Sequence, residues 1–295
     1  MDITTFTLRS GDGTEIVTDK WSGGADPKAV VIVAHGMGEH SARYQRFGQA
    51  LVDAGYVAYA PDHRGHGRTA GDPAAYGDFG VGGWEALVGD LGLVVARARA
   101  EYPALPVAIF GHSMGSMALQ QYLIDHSADI DAAALSGTTA VDIALADLDP
   151  DAEPDLSGFN GAFEHRTGYE WLSRDEAEVD TYVADPACGF GLHAGSMRGF
   201  KEGPTAASAP DQVAKVRPDL PIYLASGGMD PLAGGGALIE LVGQRYRDAG
   251  VRDVEVHLYP QARHEILNET NRDEVTADLL GFFDRTIGEA GAAAR

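Results

Sequence analysis

Residues 107–115 read VAIFGHSMG, and Pro106 stands immediately before them. A short unbroken apolar run of this kind reads as a strand buried on both faces of a parallel sheet. Gly111-His112-Ser113-Met114-Gly115 then fits G-x-S-x-G, a sharp strand-to-helix turn that lifts a serine hydroxyl clear of the sheet. The glycines have a steric reason, because side chains at those positions would strike the neighbouring elements. Helical spacing follows from Met114 to His126, so the N-terminus of that helix faces any negative charge that develops at the turn. Five letters are a short pattern, and an ordinary glycine-rich turn can carry them. The buried strand before them and the helix after them give the pattern its weight.

Outward from this point the same rhythm repeats. AVVIVAHG (29–36), YVAYAPD (56–62), DAAALSG (131–137), PIYLASG (221–227) and DVEVHLYP (253–260) read as further strands. Helical stretches are predicted over 44–54, 84–101, 237–249 and about 271–287; Trp84, Leu87, Leu91 and Val94 share one face of the second. DITTFTL (2–8) and TEIVTDKW (14–21) alternate, with Gly11-Asp12-Gly13 between them as a hairpin turn. Buried strands alternating with helices predict an α/β fold built on a doubly wound, mostly parallel sheet. The rhythm breaks after residue 140. Residues 142–155 hold six acids and two prolines, and scattered aromatics follow. A stretch this long has a purpose in a compact domain. The expected organisation is a core of residues 1–140 and 207–295 with an inserted cap, or lid, over 141–206.

The chain has 295 residues and is 44% apolar, enough to bury a core without disulfide or metal. Cys188 is its sole cysteine, so no intrachain disulfide forms, and a reducing, cytoplasmic setting is the expectation, with secretion after removal of a signal peptide as the alternative. MDITTFTLRS lacks the basic start and apolar run of a signal peptide. No stretch has the apolar length of a membrane span, so no stable membrane insertion is expected. A formal charge of −22 argues against nucleic acid and anionic lipid surfaces as partners. Oligomeric state is not legible.

If Ser113 is a nucleophile, it needs a base with a pKa near neutrality, hence a histidine. In folds with this elbow the order along the chain is nucleophile, acid, histidine. His126, His165, His193, His257 and His264 follow Ser113. His126 ends a helix that leads away from the elbow. His165 and His193 fall in the expected cap, and His257 lies inside a strand. His264 follows the last strand, at the carboxyl edge where ligands bind in open α/β sheets. Asp230, in Ser226-Gly227-Gly228-Met229-Asp230-Pro231, is the matching acid after the preceding strand. Asp219 falls at the wrong edge, and Asp248 and Asp253 lie too far along. Two backbone N–H groups are needed for an oxyanion. Met114 supplies one, and Met37, in His35-Gly36-Met37-Gly38, is the best candidate for the other. Asp62-His63-Arg64-Gly65-His66-Gly67 has a metal-like look, but no further ligands accompany it. It reads as a loop bracing the site, and no metal is expected there.

With these residues placed, the chain resembles the monoacylglycerol lipase/lysophospholipase group of α/β-hydrolases, also called the serine aminopeptidase-like hydrolases. The likeness is carried by HGMGEHSARY (35–44), DHRGHGRT (62–69), GHSMG (111–115), WLSRDEAEVDTYVADP (171–186), SGGMDPL (226–232) and ARHEILNE (262–269). Thr69 stands where the group usually has serine. The resemblance implies an α/β-hydrolase fold with a cap, hydrolysis of a small-molecule carboxylic ester, often glycerol-linked, and no cofactor. It also implies Ser113, Asp230 and His264 as a triad, with Met37 and Met114 as oxyanion donors. Phe159, Phe163 and Trp171 are candidates for an acyl pocket, or else form the cap's own core. Amides, peptides or thioesters are alternative substrates for the same triad, and a non-catalytic binding protein is the alternative outside enzymes.

Overall fold

The protein is described by a computed structural model covering residues 1–24, 26–149, 151 and 156–288. Eight strands form one sheet: β1 (Asp2–Arg9), β2 (Glu15–Ser22), β3 (Ala29–Ala34), β4 (Tyr56–Pro61), β5 (Val107–His112), β6 (Ala132–Ser136), β7 (Ile222–Gly227) and β8 (Val254–Tyr259). Their spatial order is β1-β2-β4-β3-β5-β6-β7-β8. β1 and β2 form the expected hairpin and join antiparallel to β4, while β3 to β8 run parallel. This is the α/β-hydrolase fold.

The apolar runs predict strands buried on both faces, and β3 shows why they must be. Val30 and Ile32 point into one apolar cluster, while Val31 and Val33 point into a second on the opposite face. Side chains alternate across a strand, so an unbroken apolar run can be satisfied only by helices on both sides. Helices Gly83–Glu101, Met114–His126 and Ala237–Asp248 cover the first face. Helices Gln45–Asp53 and Arg272–Phe283 cover the second. Predicted and observed boundaries agree to within a few residues. The largest shift is at the last helix, whose regular α-turns stop at Phe283.

Between β6 and β7 no strand occurs among the described residues. Pro150 and residues 152–155, part of the acidic run inside the expected insertion, lie outside the described residues. The interval includes helices Glu176–Ala184 and Ala194–Ala207. The second of these packs on helices Gly83–Glu101 and Met114–His126 of the main body. Trp171, Leu172 and Tyr182 form a small apolar cluster of their own. No helix among the described residues is long and apolar enough to cross a membrane.

Candidate active site

The G-x-S-x-G turn is as tight as its glycines suggested. Ser113 has φ 49° and ψ −119°, and it is the one non-glycine residue with positive φ among those described. Such a conformation costs on the order of 1–3 kcal/mol and persists only where the surroundings enforce it. A Cβ on Gly115 would sit 2.3 Å from the Ala34 carbonyl oxygen; one on Gly111 would sit 2.7 Å from that of Gly115. Neither position accepts a side chain without moving backbone. Met114 opens the following helix, where first-turn N–H groups have no intrahelical acceptor.

His264 and Asp230 come to the same rim. Asp230 follows β7 and His264 follows β8, both at the carboxyl edge. His264 Nδ1 lies 2.8 Å from Asp230 Oδ2, and both residues are buried. A carboxylate can only accept, so Nδ1 carries the proton and Nε2 is the basic nitrogen. Asp230 is itself held by the Leu232 N–H, at 2.9 Å to Oδ1.

Five histidines are buried, and their charge preferences separate them. Burial pushes His112 and His63 down to about 3 and His66 to about 4, and it takes His35 well below the usual imidazole value. Burial also works against the imidazolium of His264. The charge of Asp230, its hydrogen bond, and the nearby Glu265 and Glu39 outweigh burial there and raise its pKa. His112, whose ring centroid is 4.8 Å away, thus stays neutral beside a histidine that can take a proton.

The loop after β3 lies against Ser113: a Cβ on Gly36 would come 3.2 Å from the serine Cβ. His66, from the loop expected to brace the site, holds this loop together with Glu39 and Tyr182, which sequence reasoning gave no role. The Gly36 N–H donates to Glu39 Oε1 at 2.6 Å, and the Gly38 N–H donates to His66 Nε2 at 3.2 Å. His66 can accept because its Nδ1 donates to the Arg64 carbonyl at 3.0 Å. Tyr182 Oη donates to the Gly38 carbonyl at 2.9 Å. The amides on either side of Met37 are therefore anchored.

The expected bracing role of the 62–67 loop is thereby given a concrete form. Asp62 takes the Ser41 hydroxyl at 2.6 Å and Arg68 Nε at 2.7 Å, while Arg64 pairs with Asp90 and Asp12, each at 2.8 Å. The bracing itself was legible in the sequence. The partners, scattered from Asp12 to Asp90, could not be read.

Ser113, Met37 and His264 line one mainly apolar cavity. Phe159, Trp171, Leu172, Tyr182 and Phe200 line it too, all from the interval between β6 and β7. Of the three aromatics named for an acyl pocket, Phe159 and Trp171 are on the wall. Phe163 is absent from the wall; its ring lies under the Arg263 guanidinium, 4.6 Å from the centroid. The Trp171 ring lies 4.9 Å from that of His264. The backbone adds a tie here, since the His264 and Glu265 amides donate to the Trp171 and Leu172 carbonyls.

The fold and this cavity define an enzyme of the α/β-hydrolase class. The model of the serine aminopeptidase S33 family (Hydrolase_4) matches residues 25–271, and the chain belongs to that family. It is 31% identical to a monoacylglycerol lipase of Mycolicibacterium smegmatis, over 92% of this chain and 93% of the relative. It is 29% identical to a monoglyceride lipase of Rattus norvegicus, over 92% and 86%. Among solved structures, a highly thermostable carboxyl esterase from Bacillus coagulans, in complex with glycerol, superposes with TM-score 0.86 at 29% identity, over 97% of this chain and 99% of that one. The resemblance carried by the sequence motifs is thereby borne out.

Proposed function

We propose that this enzyme hydrolyses carboxylic esters of the monoacylglycerol or lysophospholipid type through an acyl-enzyme, with Ser113 as nucleophile. His264 Nε2 takes the hydroxyl proton as Ser113 Oγ attacks the ester carbonyl. The oxyanion is met by the N–H groups of Met37 and Met114, each such donor worth about 3 kcal/mol in the transition state. Asp230 fixes the His264 tautomer and stabilises the imidazolium. His264 then protonates the leaving alcohol, and water activated by the same nitrogen releases the acid. Residues 141–206 serve as the cap, with Phe159 and Trp171 contacting the acyl chain.

The observation that carries this reading is the 2.8 Å His264–Asp230 bond behind an apolar cavity that Ser113 also lines. The names of the relatives support the ester class. The apolar wall supports an acyl chain over a charged substrate. The test is p-nitrophenyl ester turnover and fluorophosphonate labelling. Loss of both in a folded Ser113→Ala variant is expected; unchanged turnover would refute the assignment. A panel of monoacylglycerols, lysophospholipids, thioesters and aminoacyl amides then ranks the substrate classes, with the first two expected to lead.

A further inference from the structure

A second group of ligating side chains lies beyond the anchored loop, and ester hydrolysis makes no use of it. His40 follows the Gly36–Glu39 turn. Asp185 caps the C-terminal end of helix Glu176–Ala184, and Cys188 stands three residues further on. One ligand atom from each of these three residues lies within 4.8 Å of the other two, and all three residues are half-buried. His40 Nε2 is 2.9 Å from Asp185 Oδ2.

The arrangement is held before any ligand arrives. Asp185 Oδ1 accepts the Ala187 N–H at 2.8 Å, which leaves Oδ2 directed at His40. The Cys188 N–H donates to the Asp185 carbonyl at 3.0 Å, so one turn presents the carboxylate and the sulfur together. The next amide, Gly189 N–H, donates to the Gly38 carbonyl at 2.9 Å. That bond fastens the turn to the loop that carries His40.

The donor set is one imidazole nitrogen, one carboxylate oxygen and one sulfur. Calcium and magnesium take oxygen ligands, whereas mixed nitrogen, oxygen and sulfur sets suit zinc and its neighbours. A thiolate and a carboxylate together bring two negative charges, which match a divalent cation. Three protein ligands leave the fourth tetrahedral position to water, and half-burial leaves a way in. We propose that His40, Asp185 and Cys188 form a three-ligand site for a divalent cation of the zinc class, which ties the loop bearing Met37 to the chain that overlies the cavity.

On binding, the His40–Asp185 hydrogen bond opens, the imidazole passes its Nε2 proton to solvent as Nδ1 takes one up, Cys188 gives its proton to solvent, and Sγ, Nε2 and Oδ2 each bond the metal. Sulfur ligates as the thiolate, so metal binding is coupled to loss of the thiol proton. Binding does not depend on the hydrolase assignment, and the test is spectroscopic.

Metal-free full-length protein is titrated with Co²⁺ and then with Zn²⁺. Saturation at one equivalent, a thiolate-to-cobalt charge-transfer band and displacement by Zn²⁺ are expected. Cys188 is the sole cysteine, so the band reports on that residue. Asp185→Asn and His40→Gln should each weaken Zn²⁺ binding by about tenfold or more while the metal-free melting curve is retained. A wild-type protein with no thiolate band at saturating Co²⁺ overturns the site whatever the variants do. Binding of several equivalents that neither substitution weakens overturns it as well.

Discussion

Arg43 grips Glu265 with both arms of its guanidinium, Nη1 to Oε1 at 2.5 Å and Nη2 to Oε2 at 2.7 Å. The same Nη1 reaches Glu39 Oε2 at 2.6 Å. Glu265 is next to His264, and Glu39 holds the Gly36 amide. One largely buried cation therefore spans the loop that carries His264 and the loop that carries Met37. Burial would raise Glu265, yet Arg43 holds it down to about 2; Glu39, also buried and facing Glu265, is raised despite Arg43.

Removing Arg43 leaves two buried acids without their cation. Arg43→Met should destabilise the protein by about 3–5 kcal/mol, the usual cost of breaking a buried pair from one side. Urea unfolding measures it. A loss under 1 kcal/mol would mean the acids are solvated rather than bridged.

The pH profile follows from His264. A general base must be neutral, and the raised pKa places the acidic limb of kcat/KM above the ordinary imidazole value of ~6.5, with activity rising as pH increases. Glu265→Gln removes one of the charges that raise it, so the limb should move to lower pH. A limb that stays in place or moves upward contradicts this account. The same shift makes the imidazolium stabilising below ~6.5, a contribution lost as pH rises through the folded value.

Asp230→Asn should keep the fold but lower kcat by roughly three to four orders of magnitude, because an amide fails to hold the imidazole in the working tautomer. Single-turnover acylation with a p-nitrophenyl ester measures the effect directly. A fall of less than tenfold would remove Asp230 from the proposed triad.

His66 meets the loop that bears Met37 through the Gly38 amide. His66→Phe keeps a ring beside Phe79 but removes the acceptor of the Gly38 amide. About tenfold to a hundredfold loss in kcat with little change in KM is expected, since a displaced Met37 amide weakens the transition state more than binding. An equal loss in melting temperature and KM with kcat intact would make His66 merely structural.

Trp171→Ala opens the wall beside His264. The expected result is a KM rise of about tenfold or more for long acyl esters and a smaller one for acetyl esters, as buried contact area is lost. Equal effects on both chain lengths would place Trp171 outside the acyl pocket.

Local chemistry made much of this protein legible in its sequence. Unbroken apolar runs demand cover on both faces, which is enough to predict the parallel sheet. Gly111 and Gly115 declare a turn that excludes side chains. The order of Ser113, Asp230 and His264 along the chain places all three at strand ends on one edge. Tertiary structure alone decided what surrounds them. Arg43 meets Glu265 across 222 residues, His66 meets Gly38 across 28, and Tyr182 meets that same Gly38 across 144. Polar partners of this kind leave no periodicity, because a hydrogen bond constrains a distance in space and not a spacing in sequence. For the same reason Phe159 and Phe163, four residues apart, could not be sorted from letters into wall and not wall.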